Sequence, residues 1–101
     1  MSRRRDDKVE CHTPSPGKQP TRIDRWKYDV VRQAILKVVP RRGPGLLFSE
    51  LAGKVQTALA PEQLADLGSV SWYTTTVKLD LEVQGEIHRV EGAGPQRLLR
   101  T

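Results

Sequence analysis

The chain is poor in several things that would each have announced a function. Of its 101 residues only one, Cys11, is a cysteine, so no internal disulfide forms and a reducing, cytoplasmic setting is expected. Two histidines, His12 and His88, stand far apart. Cys11 and His12 are adjacent, and neither has the further ligands at the spacing a zinc site needs. No metal or other cofactor is expected. No apolar run approaches ~20 residues, so no membrane span is expected. The leading MSRRRDDK has charge without an apolar stretch, unlike a secretory signal. The turn sequences GPG and GAGP lack the spacing of a phosphate-binding loop. Catalysis needs acids, bases or nucleophiles held at fixed geometry, and no such constellation is legible. The expectation is a non-enzymatic protein.

What is present is a mixed, soluble composition, 37% hydrophobic and 29% charged, enough for one modest core. The net charge of +5 is unevenly placed. Residues 1–22 carry +3 and residues 23–47 carry +4, the latter including Arg41 and Arg42. Residues 48–91 hold three basic and seven acidic side chains, a net of −4, and residues 92–101 return +2 through Arg97 and Arg100. Positive charge therefore sits towards the two ends rather than on the central segment, which bears on any nucleic-acid reading.

Residues 1–20, with Pro14, Pro16, Gly17 and Pro20 among charges, read as a disordered polar and basic tail. The run Arg3-Arg4-Arg5 suits nucleic acid, an acidic partner or simply a solvated leader. Residues 21–101 form the folded domain. Thr21 with Asp24 three positions on suggests a capped helix to Val39, carrying Ile23, Trp26, Val30, Ala34 and Val38 at helical spacing and ending at Pro40. Gly45-Leu46-Leu47-Phe48 suits a brief strand, Ser49 a helix N-cap, and Pro61 the first position of a short helix stopped by Gly68. A long helix follows from Val70 to Gln84, capped by Ser69 and closed by Gly85 in a left-handed conformation. Residues 86–91 and 96–100 then read as a short hairpin. Val90 falls out of phase in the first of these strands, and Leu98 and Leu99 cannot both face one side of the second.

At about 100° per residue the long helix shows two apolar flanks, Val70, Val77 and Leu81 on one and Trp72, Leu79 and Val83 on the other. Between them, on the side taken as inward, fall Tyr73 and Asp80. Asp80 is expected to find a partner, with Arg25, Lys27 or an indole N–H as candidates. Trp26 and Trp72 are both expected in the core. The opposite side carries Ser71, Thr75, Lys78 and Glu82.

Three helices followed by a hairpin make an α+β chain, mostly α, with the order of a winged helix-turn-helix: three main helices and a small C-terminal β-hairpin wing. The stretches TRIDRWKYD, LGSVSWYTTTVKLDLEVQGEI and PQRL also resemble a family of small uncharacterised bacterial proteins with a winged-helix-like fold, over roughly Lys18 to Thr101. That resemblance implies the fold and brings no catalytic or binding residues with it. LDLEVQGEIHRV is similar to the junction between recognition helix and wing in many bacterial transcription regulators. It departs from them in carrying Asp80 and Glu82 where neutral or basic residues are frequent.

Two functional expectations follow. One is a DNA-binding module, a possible transcription regulator, acting mainly through phosphates. Ser71, Thr75 and Lys78 would face the groove, His88, Arg89 and Arg97 would line the wing, and Arg41 and Arg42 or the basic tail would supplement them. No Arg, Asn or Gln lies on that helix face to read bases bidentately. The other is a protein-interaction or homodimerisation module that uses the Trp72, Leu79 and Val83 flank, provided nothing covers it.

Overall fold

The structure, a computed structural model, describes residues 7–92 and 94–101. The elements run β1 (Lys8–Cys11), β2 (Thr21–Asp24), α1 (Arg25–Val38), β3 (Leu46–Leu47), α2 (Phe48–Ala58), α3 (Pro61–Leu67), α4 (Val70–Gln84), β4 (Ile87–Arg89) and β5 (Arg97–Arg100). Two small antiparallel sheets accompany the four helices: β1 pairs with β2, and the second sheet has the order β3-β5-β4. The chain is thus α+β. Among the described residues no helix is long and apolar enough to cross a membrane.

The first correction concerns the N-terminal segment. Lys8–Cys11, expected within a disordered tail, is a strand in register with Thr21–Asp24, Val9 opposite Ile23 and Cys11 opposite Thr21. Its cause is a period-two pattern too short to stand out: Val9, Cys11 and Ile23 share one face, and Cys11 and Ile23 are both buried. The Arg3-Arg4-Arg5 run lies outside the described residues. The first helix accordingly starts at Arg25 rather than at Thr21. Asp24 does not act as a side-chain cap; its carboxylate pairs across the hairpin with Lys8. The Arg25 N–H donates to the Asp7 carbonyl at 2.9 Å, which fixes the turn from strand into helix.

The later elements form for the reasons their residues suggest. Ser69 Oγ accepts from the Trp72 N–H at 3.1 Å and caps α4. Gly85, at φ +79°, ends it, with the Glu86 N–H turned back to Leu81 O at 2.9 Å. Pro61 opens α3, whose Gln63 side chain accepts from the Ala60 N–H. At α2 the expected Ser49 cap is replaced: the helix begins at Phe48, whose N–H donates to Gln96 O at 2.9 Å. The neighbouring strand satisfies that donor, so a side-chain cap is not required.

The core is built from Val31, Ile35 and Val39 of α1 and its end, Leu51 and Val55 of α2, Val77 and Leu81 of α4, and Ile87 and Leu98 of the sheet. The phase problem in the hairpin resolves simply. β4 stops at Arg89, leaving Val90 beyond the strand, and Leu98 faces the core while Leu99 takes the other side of the sheet. Gly45 enters β3 at φ +91°, and a Cβ there would stand 2.9 Å from the Leu98 carbonyl oxygen. Only glycine permits that approach of the two strands.

Candidate functional site

Helix α4 packs against α1, α2, β1 and β4, so its orientation decides what the protein offers to a partner. The flank that goes inward is Val70, Val77 and Leu81, with Val77 and Leu81 fully buried. The helix is therefore turned by about 70°, at 100° per residue, from the orientation that puts Tyr73 and Asp80 innermost. This rotation has two consequences, one for each side of the helix.

On one side it buries Lys78. This residue, expected to face a DNA groove, is 1% exposed. Its ammonium donates to Gln96 Oε1 at 2.5 Å, pairs with Glu82 Oε2 at 2.6 Å and lies 4.6 Å from the centre of the Phe48 ring. Burial pulls its pKa below the usual lysine value, opposed by the Glu82 carboxylate. Arg89 comes back from β4 and binds Glu82 Oε1 at 2.7 Å, so Glu82 is gripped by two cations. This group clasps the sheet to α4. It leaves no lysine or arginine on the solvent side of the helix.

On the other side Asp80 is buried at 1% exposure. Its expected partners were Arg25, Lys27 or an indole; the structure gives it two uncharged donors instead. The Tyr28 hydroxyl donates to Oδ2 at 2.6 Å and the His12 backbone N–H donates to Oδ1 at 2.9 Å. Cys11 lies within the same cluster, and burial first, then the Asp80 charge, pushes its thiol up to about 12. Tyr28 is raised as well, by burial and by its bond to Asp80. Asp80 thereby holds the first strand of the chain against the last helix. Lys27, half-buried, points at Tyr73 instead, donating to its hydroxyl at 3.3 Å and lying 4.9 Å from its ring centre.

The second apolar flank is the one left outside. Trp72 is 47% exposed and Val83 46%, with Leu79 partly exposed between them. Trp72, expected in the core, instead makes an edge contact with Tyr73 at 4.8 Å. Trp26 is partly buried. Ser71 and Thr75 are exposed on α4 as expected, but the cation expected beside them is turned inward. From Trp72 to Val83 the outward residues are Trp72, Thr75, Thr76, Leu79 and Val83, none of them charged.

The remaining candidates fall elsewhere. His88 is exposed on β4, and Arg97 of β5 donates to the Gly45 carbonyl at 3.3 Å. Arg41 and Arg42 are exposed on the turn after α1, which the Arg100 N–H ties to β5 through Pro40 O at 2.8 Å. The structure thus gathers Arg41, Arg42, Arg97 and Arg100 around the α1–β3 turn and β5. A shallow cleft of about 590 Å³ between Pro14–Pro16 and β4 is lined by Glu82, Ile87, His88 and Arg89. Among the described residues no group of three or more His, Cys, Asp or Glu side chains is placed to hold a metal ion.

Residues 8–98 match the model of a family of unknown function (DUF6958). The chain belongs to this family. The match begins at Lys8, so it takes in strand β1 and the His12 contact to Asp80 as well as the helices and hairpin. No curated protein and no solved structure matches the chain.

Proposed function

We propose that this chain of the DUF6958 family is a winged-helix module that binds protein, without catalysis, through the solvent face of α4. The winged-helix reading rests on connectivity: α1, a short β3, helices, then the β4–β5 hairpin, with β5 central in the order β3-β5-β4. In a helix-turn-helix the corresponding helix enters the major groove and needs donors or cations there. The observation that carries the protein-binding reading is the exchange of Lys78 for Trp72, Leu79 and Val83. The cation is buried and the apolar flank is at the surface. An exposed tryptophan with aliphatic neighbours is the composition of a binding hot spot. The lone, buried Cys11 accords with a reducing, cytoplasmic setting.

A second reading, contact with a nucleic-acid backbone, draws on the arginines around the α1–β3 turn, of which Arg41 and Arg42 are exposed. It requires no groove-facing helix. Anisotropy of labelled duplex DNA at low and physiological salt, using the full chain, separates the readings. Protein binding through α4 predicts that Thr75→Glu leaves any DNA affinity unchanged and that such affinity disappears in the Arg41→Glu/Arg42→Glu double variant. Loss of DNA binding on Thr75→Glu overturns it. As a direct test, a photo-crosslinking side chain in place of Leu79 captures protein, whereas one in place of the exposed Gln56 of α2 does not.

A further inference from the structure

The outward face of α4 reverses onto itself. At 100° per residue Trp72, Thr76, Leu79 and Val83 fall within an arc of about 60°. They are also spaced symmetrically about a point between Val77 and Lys78: Trp72 is as far before it as Val83 is after it, and Thr76 as Leu79. An identical helix laid antiparallel across this face, related by a two-fold axis through that point, sets Trp72 of each copy against Val83 of the other. Leu79 of each then meets Thr76 of the other. Large side chains face smaller ones at every step, twice over, as an isologous interface requires. The face runs about 16 Å at 1.5 Å per residue, and small threonines at its middle allow the 8–10 Å axis separation of packed helices.

Charge selects the occupant. Within this face there is no ionised group, because Lys78 is turned inward and both Glu82 oxygens are taken by Lys78 and Arg89. A phosphate backbone or a charged peptide meets no counter-charge here. A surface as uncharged as itself loses nothing on contact, and a second copy presents that surface although the chain as a whole carries +5. From this geometry we infer that the chain is a homodimer through antiparallel packing of α4 against α4. The inference rests on the protein-binding reading above and names its partner.

Sedimentation analysis of the full chain over a concentration series tests it, with Trp72→Lys and Val83→Glu as variants and circular dichroism to confirm that both remain folded. The wild type is expected to sediment as a dimer. Each variant alone places a charge against an apolar side chain at both ends of the interface and weakens the dimer by roughly tenfold or more. Mixing the two variants restores a dimer, because the introduced ammonium meets the introduced carboxylate at one end and the native Trp72–Val83 contact survives at the other. A wild type that stays monomeric throughout overturns the inference, as does a dimer that neither variant weakens. Variants that are monomeric alone and stay so when mixed overturn the antiparallel register. The Leu79 crosslink keeps the two proposals apart: a monomeric wild type whose Leu79 position captures a different protein overturns self-association and leaves the protein-binding reading standing. No capture at Leu79 overturns both.

Discussion

Two charged side chains of α4, two residues apart, are buried on opposite sides of the helix and are satisfied in opposite ways. Lys78 has a counter-ion, Glu82, which is itself shared with Arg89. Asp80 accepts from two neutral donors, the Tyr28 hydroxyl and the His12 N–H. Each fastens a β element to the helix, Lys78 the β5 side of the three-stranded sheet through Gln96 and Asp80 the first strand. An ion pair in a dry site is costly to break from one side, since the abandoned charge stays buried. A carboxylate held by neutral donors is held by directional bonds alone, and losing it leaves only uncharged groups unsatisfied.

The strongest way to break this symmetry is Glu82→Leu. It leaves the Lys78 ammonium buried with Gln96 as its polar partner, and the expected loss is about 3 kcal/mol in urea unfolding. Asp80→Asn is expected to cost less, about 1–2 kcal/mol, because the amide keeps one acceptor for the His12 N–H and the Tyr28 hydroxyl can turn. Comparing these two losses in one denaturant series is the direct check, and an equal or reversed order would contradict the contrast.

A pH experiment sharpens the Asp80 side. Cys11 is held protonated in the fold, at about 12, against an ordinary value of 9.0. Between these values the unfolded chain has lost a proton that the folded one keeps. The stability contributed by Cys11 is therefore complete below about pH 9 and declines as the pH rises towards 12. Asp80→Asn removes one cause of the shift and should flatten the Cys11 part of that decline. The corresponding chemical check is alkylation of Cys11 at mildly alkaline pH, slow in the native protein and fast in urea. The smallest effect belongs to the outward face. Val83→Arg, at a position 46% exposed, should change the unfolding free energy of the monomer by no more than about 0.5 kcal/mol.

The four helices, both ends of α4 and the hairpin were legible in the residues because each carries its own local signal, whereas the starts of α1 and α2, expected at Thr21 and after Ser49, lie at Arg25 and Phe48. Ser69 and Gly85 bracket α4 as expected, and Pro61 opens α3. The rotation of α4 was not legible. Two apolar flanks of three residues each, Val70, Val77 and Leu81 against Trp72, Leu79 and Val83, offer periodicity no means of choosing. The choice is made by partners distant in sequence: Gln96 and Phe48 accommodate Lys78, and Tyr28 and His12 accommodate Asp80. Strand β1 was missed for a related reason. Four residues among prolines and charges look like a tail until Ile23 and the Asp80 carboxylate give them somewhere to dock. The −4 charge of residues 48–91 was the feature that pointed correctly away from a cationic α4 surface.

The bond from His12 to Asp80 joins residues 68 positions apart, and the earlier of them is near the start of the chain. On a ribosome adding about 5–20 residues each second, the first strand therefore emerges several seconds before the carboxylate that anchors it is made. Throughout that interval β1 and β2 have each other and α1 to pack on but not α4, and a two-stranded hairpin alone is marginal in water. Strand β1 is thus synthesised before α4 and secured only after it, so its docking closes the fold rather than starting it.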